Sequence, residues 1–97
     1  MINKVIRRID KQGRLQLPND LIKFSSIFGT KEIAMCSMGN KMIKLKRVDD
    51  IKNCKAFFII KMDEKGRIII PLEIRQETEY FEIFLFNGDL IIKEALN

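Results

Sequence analysis

Asp10-Lys11-Gln12-Gly13-Arg14-Leu15-Gln16-Leu17-Pro18 returns later in the chain as Asp63-Glu64-Lys65-Gly66-Arg67-Ile68-Ile69-Ile70-Pro71. Asp, Gly, Arg and Pro all recur at the same offset, 63 − 10 = 53, without a gap. Chance explains four identities in one register poorly. Each stretch reads as a tight turn followed by a short strand that a proline ends. The chain of 97 residues therefore divides into two similar units, expected to pack against each other.

The correspondence extends outward. Val5-Ile6-Arg7-Arg8-Ile9 aligns with Phe58-Ile59-Ile60-Lys61-Met62, and Glu32-Ile33-Ala34-Met35-Cys36 aligns with Glu82-Ile83-Phe84-Leu85-Phe86 at an offset of 82 − 32 = 50. Gly39 to Lys44 aligns with Gly88 to Lys93 at 88 − 39 = 49. The offset changes where loops are expected, and insertions cost least there. Each unit reads as strand, tight turn, strand, short helix, strand, hairpin turn, strand. Gly13 and Gly66 are placed to supply the positive φ that such turns require. Leu15 and Leu17, like Ile68 and Ile70, fall on one face of a strand by the period-two rule. Pro18 and Pro71 suit the start of a short helix, with Asp20 and Glu73 near its positive end. Asn87-Gly88 is a strong two-residue hairpin signal, and Met38-Gly39-Asn40 is its looser counterpart. The expected organisation is a first unit over residues 1–47, a polar linker over 48–55 and a second unit over 56–97.

Each unit of roughly 40 to 45 residues lies near the lower limit for a self-supporting core, so the two are expected to be stable only when paired. The longest apolar runs, such as Ala56-Phe57-Phe58-Ile59-Ile60, are strand-sized, and Met1 to Arg8 has no signal-peptide core. A cytoplasmic protein is expected, with no membrane partner. Cys36 and Cys54 lack CxxC spacing and read as reduced, small apolar residues. The chain has no histidine, and no carboxylates or lysines are brought together by spacing, so neither a metal site nor an enzyme is expected.

Formal net charge is +5 and unevenly divided. Residues 1–53 carry twelve Lys/Arg against five acids, +7, while the remainder carries six against eight, −2. Two units with one framework do not need opposite charge in order to fold. The difference lies in what each surface meets, and a polyanion is the simplest partner of the first. One residue stands out in the alignment. Arg7 is in register with Ile60, and its neighbours on the same strand face, Val5 and Ile9, match Phe58 and Met62. An arginine interrupts a stripe that is wholly apolar in the second unit, and core packing does not explain it.

The strand, the Asp-x-x-Gly-Arg turn, the strand ending in Pro, the short helix and the Gly-turn hairpin together resemble the AbrB/MazE/SpoVT family of prokaryotic DNA-binding domains. The resemblance covers both units, in an arrangement similar to that of the two-copy MraZ proteins. It implies a mostly β fold with short helices, a swapped-hairpin barrel formed by two tandem repeats. It implies a sequence-specific transcription regulator that binds double-stranded DNA, without a cofactor, as a homo-oligomer associated with the nucleoid. Carried over position by position, the DNA-facing residues become Arg7, Arg8, Arg14 and Lys23 in the first unit, where Ile22 takes a position that is usually basic. In the second unit Lys61, Arg67 and Arg75 keep the pattern, and Ile60 and Gln76 depart from it. The resemblance also admits an antitoxin that binds a toxin protein, for which Glu73, Glu77, Glu79 and Glu82 offer an acidic surface, or a structural module that assembles into rings.

Overall fold

The computed structural model describes residues 4–39, 41–51, 55–75 and 78–95. The chain forms β1 (Val5–Arg8), β2 (Arg14–Gln16), α1 (Asn19–Lys23), β3 (Glu32–Gly39), β4 (Met42–Arg47), a short 3-10 turn (Val48–Asp50), β5 (Ala56–Lys61), β6 (Arg67–Ile69), β7 (Tyr80–Phe86) and β8 (Asp89–Glu94). The fold is mostly β, and all strand pairs are antiparallel.

Local chemistry sets the turns. The Asp10 carboxylate accepts the N–H groups of Gln12 and Arg14, both at 2.9 Å, and Gly13 takes the positive φ of 81° that closes the loop. Asp63 does the same for Lys65 and Arg67, again at 2.9 Å, with Gly66 at φ 79°. Asn87 and Gly88 both have positive φ, 51° and 81°, the requirement of a two-residue turn between β7 and β8. The hairpin between β3 and β4 is looser, with a register shift between Ser37 and Gly39.

Long-range pairing sets the architecture. Six strands form one sheet in the order β1-β7-β8-β4-β3-β5, and β2 pairs with β6 in a separate ribbon. Exchanging β1 with β5, β3 with β7 and β4 with β8 reproduces that order reversed. Each unit thus sends its first strand to the other's hairpin: β1 lies on β7, and β5 lies on β3. The edge strands β1 and β5 contact β2 and β6 respectively, so the ribbon spans the gap between the two edges of the sheet. Among the described residues the strands hydrogen-bond as two separate sheets, and the swapped-hairpin barrel that the resemblance implies is not closed by a continuous ring of strand pairs. The Arg14 N–H is spent on Asp10, which leaves Asp10 N–H to Arg14 C=O, 3.0 Å, as the bond across this corner.

Between ribbon and sheet lies the hydrophobic core. Leu15, Leu17, Ile68 and Ile70 of the ribbon are at most 1% exposed, and they pack with Ile33, Met35, Leu45, Phe81, Ile83, Leu90 and Ile92. Leu15 faces Ile68 at the centre of the ribbon, and Ile43 faces Ile92 at the centre of the sheet. Both junctions join residues from opposite halves. A polar tie on the outer face adds to them: Asp89 accepts the Ser26 hydroxyl at 2.7 Å and pairs with Lys46 at 3.3 Å, and Lys46 also reaches Asp50 at 3.4 Å.

Three expectations change. Among the described residues α1 is the only α-helix, and the segment after Pro71 makes turn bonds from the Ile74 and Arg75 N–H groups to the Pro71 carbonyl instead. Thirteen residues lie between Pro18 and Glu32, whereas eight lie between Pro71 and Tyr80, so the second half must turn back sooner. Those end points follow from the second change, in how the third strands correspond. Arg7 faces Phe81 while its counterpart Ile60 faces Ile33, which makes the structural offset 81 − 33 = 48 rather than 50. A slip of two residues keeps every side chain on its face, so the hydrophobic pattern could not detect it. Third, Cys36 is disulfide-bonded rather than a free thiol. The β3–β5 pairing sets Ala56 opposite Cys36, a proximity that spacing along the chain does not reveal. Cys54 lies outside the described residues, as does Gln76.

Candidate nucleic-acid interface

The ribbon turns its polar face outward. With Leu15 and Ile68 inside, alternation puts Arg14, Gln16, Arg67 and Ile69 on the outer face, where Arg14 stands opposite Ile69 and Gln16 opposite Arg67. Each arginine is held by the aspartate of its own turn, Arg14 Nε to Asp10 Oδ2 at 2.7 Å and Arg67 Nε to Asp63 Oδ2 at 2.8 Å. Arg14 is tied further by Gln12, whose side-chain oxygen accepts from its terminal nitrogen at 2.7 Å. Lys65 stands at the corresponding place in the second turn and offers no acceptor, so the terminal nitrogens of Arg67 are the freer. Both aspartates are held ionised below the usual carboxylate range. The backbone N–H of the following arginine is the main cause, reinforced by the guanidinium and a second N–H and opposed by partial burial.

The remaining basic residues separate by strand face. Arg7 and Arg8 point to opposite sides of β1. Arg8, on the outer face of the sheet, pairs with Glu79 at 2.9 Å and lies 5.8 Å from the centre of the Tyr80 ring. Both partners of that ion pair are well exposed, so it contributes at most about 1 kcal/mol. The Arg7 side chain is exposed and makes no ion pair or hydrogen bond with a described residue. Together with Lys4, Val5, Pro18, Asp20, Leu21, Phe24 and Leu85 it lines a cleft of about 460 Å³ between β1 and α1. Lys23, exposed in the last turn of α1, follows Asp20 by one helical turn. Lys61 is exposed on β5 opposite Glu32, at the far edge of the sheet from Arg8. Arg75 belongs to a different object: its Nη1 donates to the Gln12 carbonyl at 3.1 Å, so the second half clasps the first turn. The guanidinium lies so close over Gly13 that a Cβ there would overlap it.

The seven basic residues expected at the interface fall on different elements. Arg14, Arg67 and Arg75 cluster at the ribbon and its turns, Arg7 and Lys23 flank α1, and Arg8 and Lys61 sit at opposite outer edges. Sequence reasoning missed Phe24, which shares a cleft with Arg7. It also missed Lys11 and Lys65, exposed at the tips of the two turns. The spacing Asp-Lys in one turn and Asp-x-Lys in the other carried that signal. Among the described residues no three His, Cys, Asp or Glu side chains converge on a metal-sized site, and no helix is long and apolar enough to cross a membrane. Compared with known proteins, the chain matches no protein-family model and no curated protein.

Proposed function

We propose that the protein is a DNA-binding transcriptional regulator of AbrB type, in which two tandem units interleave as swapped hairpins and the first unit carries most of the affinity for duplex DNA. One observation carries the reading: Arg7 is exposed and without an ion-pair partner among the described residues, in a place where the second half buries part of Ile60 against the core. A lone cation on an otherwise apolar stripe contributes nothing to packing, and a phosphate or a base edge is a natural partner for it. The ribbon supports the same reading. A two-stranded ribbon fits the major groove, and the aspartates hold Arg14 and Arg67 in fixed directions on the outer face of this one. Lys11, Lys23 and Lys65 supply further charge toward phosphates. The strand exchange between halves is the arrangement that a swapped-hairpin repeat would give.

The test is the salt dependence of affinity for a duplex selected from a random pool, followed by fluorescence anisotropy. With four to six phosphates engaged, the slope of log K against log salt is about −4 to −5. A salt-independent affinity would falsify the reading.

A second reading has its own observation. In the second half Ile69 and Leu72 are 55% and 64% exposed, where the first half carries Gln16 and Asn19. Two apolar side chains beside Glu73 suit a basic protein partner, as in an antitoxin. Replacing them with the residues of the first half, Ile69→Gln and Leu72→Asn, then abolishes co-purification of a small basic toxin.

A further inference from the structure

We propose that Arg75 is a positioning residue: through it the second half holds Arg14 of the first half in place for DNA, and Arg75 does not itself meet DNA. The inference rests on the regulator reading and reassigns one of the basic residues expected at the interface.

Each turn is held by the opposite half through two bonds. The first is common to both. The Leu17 N–H donates to the Gly66 carbonyl at 3.0 Å, and its counterpart, the Ile70 N–H, donates to the Gly13 carbonyl at 2.9 Å. The second bond ends one residue earlier and differs between the turns. Gln16 Nε2 donates to the Lys65 carbonyl at 2.6 Å, whereas the matching Gln12 carbonyl takes Arg75 Nη1 at 3.1 Å. At the repeat offset of 53, position 69 corresponds to 16 and position 75 to 22. Ile69 has no side-chain donor, so Arg75 does for the first turn what Gln16 does for the second. The same exchange shows over the turn glycines. A Cβ on Gly66 would lie 3.4 Å from both the Gln16 amide nitrogen and Ile22, and a Cβ on Gly13 would meet the Arg75 guanidinium instead.

A neutral amide performs this task in one turn, so the task needs a donor and not a positive charge. Its effect reaches Arg14 through Gln12, whose side-chain oxygen accepts from the Arg14 terminal nitrogen at 2.7 Å. Arg75 fixes the backbone of the residue that steers the outer end of Arg14, and its own side chain is half-buried over Gly13. Lys65 has no such acceptor, so only the first turn carries this relay from one half to the other.

The experiment is a double-mutant cycle on the full chain, read by anisotropy of a selected duplex and, without DNA, by NMR of the arginine Nε–H signals. Arg75→Ile, which installs the residue of the first half, weakens duplex binding about tenfold. In a chain that already carries Ile69→Gln the same change costs about twofold or less, because the amide caps the Gln12 carbonyl as Gln16 caps that of Lys65. In that background Arg75→Ile also leaves the salt slope where it was, whereas loss of a phosphate contact reduces it by about 0.9. Without DNA, Arg75→Ile speeds solvent exchange at the Arg14 Nε–H several-fold and leaves that of Arg67 unmoved. Equal losses of affinity in both backgrounds, or a slope reduced by about 0.9 in the Ile69→Gln chain, make Arg75 a DNA contact and overturn the proposal. An Arg14 signal that Arg75→Ile does not touch overturns it as well. If Arg75→Ile alone does not fold, the doubly substituted chain, with its first turn capped again, is compared with Ile69→Gln alone by affinity and slope. A natural chain that binds no duplex defeats the regulator reading only, since the DNA-free Arg14 signal still decides what Arg75 does.

Discussion

The turns at Asp10 and Asp63 are the same object built twice. In each, one carboxylate accepts two backbone N–H groups at 2.9 Å and an arginine Nε, at 2.7 Å in the first and 2.8 Å in the second. A few residues away the halves diverge. Arg7 is exposed where Ile60 packs on the core, and a helix follows Pro18 where only a turn follows Pro71. The lesson concerns where variation is tolerated. The turns and ribbon hold both halves together through the same Asp, Gly, Arg and Pro and through buried apolar positions, whereas the edge strand and the proline-to-strand segment meet solvent and can take on separate tasks.

The largest expected effect tests whether the halves share one core. Leu15→Ala should destabilise the protein by about 3 kcal/mol in chemical denaturation, because the side chain is wholly buried against Ile68. In a double-mutant cycle with Ile68→Ala the losses should fail to add by about 0.5 kcal/mol or more, and strict additivity would mean two independent cores. Next comes the functional asymmetry. Arg7→Ile should weaken duplex binding about tenfold and reduce the salt slope by about 0.9, while Lys61→Ala should cost less. Equal losses from the two strands would erase the distinction between the halves.

A smaller effect probes the tie that the first half makes to the turn of the second. Ser26→Ala removes the 2.7 Å hydrogen bond to Asp89 and should lower stability by about 1 kcal/mol, measured by urea denaturation. The smallest effect concerns what the halves have in common. The carboxyls of Asp10 and Asp63 titrate below the ordinary 3.8, so the stability they confer is present above that pH and is lost as pH falls through their lowered folded values. Carboxyl NMR titration of Arg14→Ala should raise Asp10 toward its ordinary value and leave Asp63 unmoved. A shift at both would show that the turns communicate through the ribbon.

Much of the fold was legible because it is local. The Asp-x-x-Gly-Arg spacing announces a turn whose bonds span two to four residues, and the alternation in Leu15 and Leu17 or Ile68 and Ile70 announces a buried face. Asn87-Gly88 announces its hairpin for the same reason. The candidate site was legible one residue at a time. Comparing the halves singled out Arg7, yet no pattern within the chain could say that Arg8 would meet Glu79, or that Arg75 would reach across to the Gln12 carbonyl. These partners lie 71 and 63 positions away in sequence, beyond the reach of any periodicity.

What the sequence determined by itself, then, is the set of strands and turns, their buried faces and the unequal charge of the two halves. All of these follow from backbone preferences, the two-residue period and composition. Tertiary structure alone decided that β1 joins β7 and β5 joins β3, that Cys36 is disulfide-bonded, and that the third strands correspond at 48. It also decided that Arg7 and Phe24 share one cleft. Each of these joins residues far apart along the chain. Their closeness depends on the shared core closing with both halves in place, a global free-energy minimum that no short segment encodes.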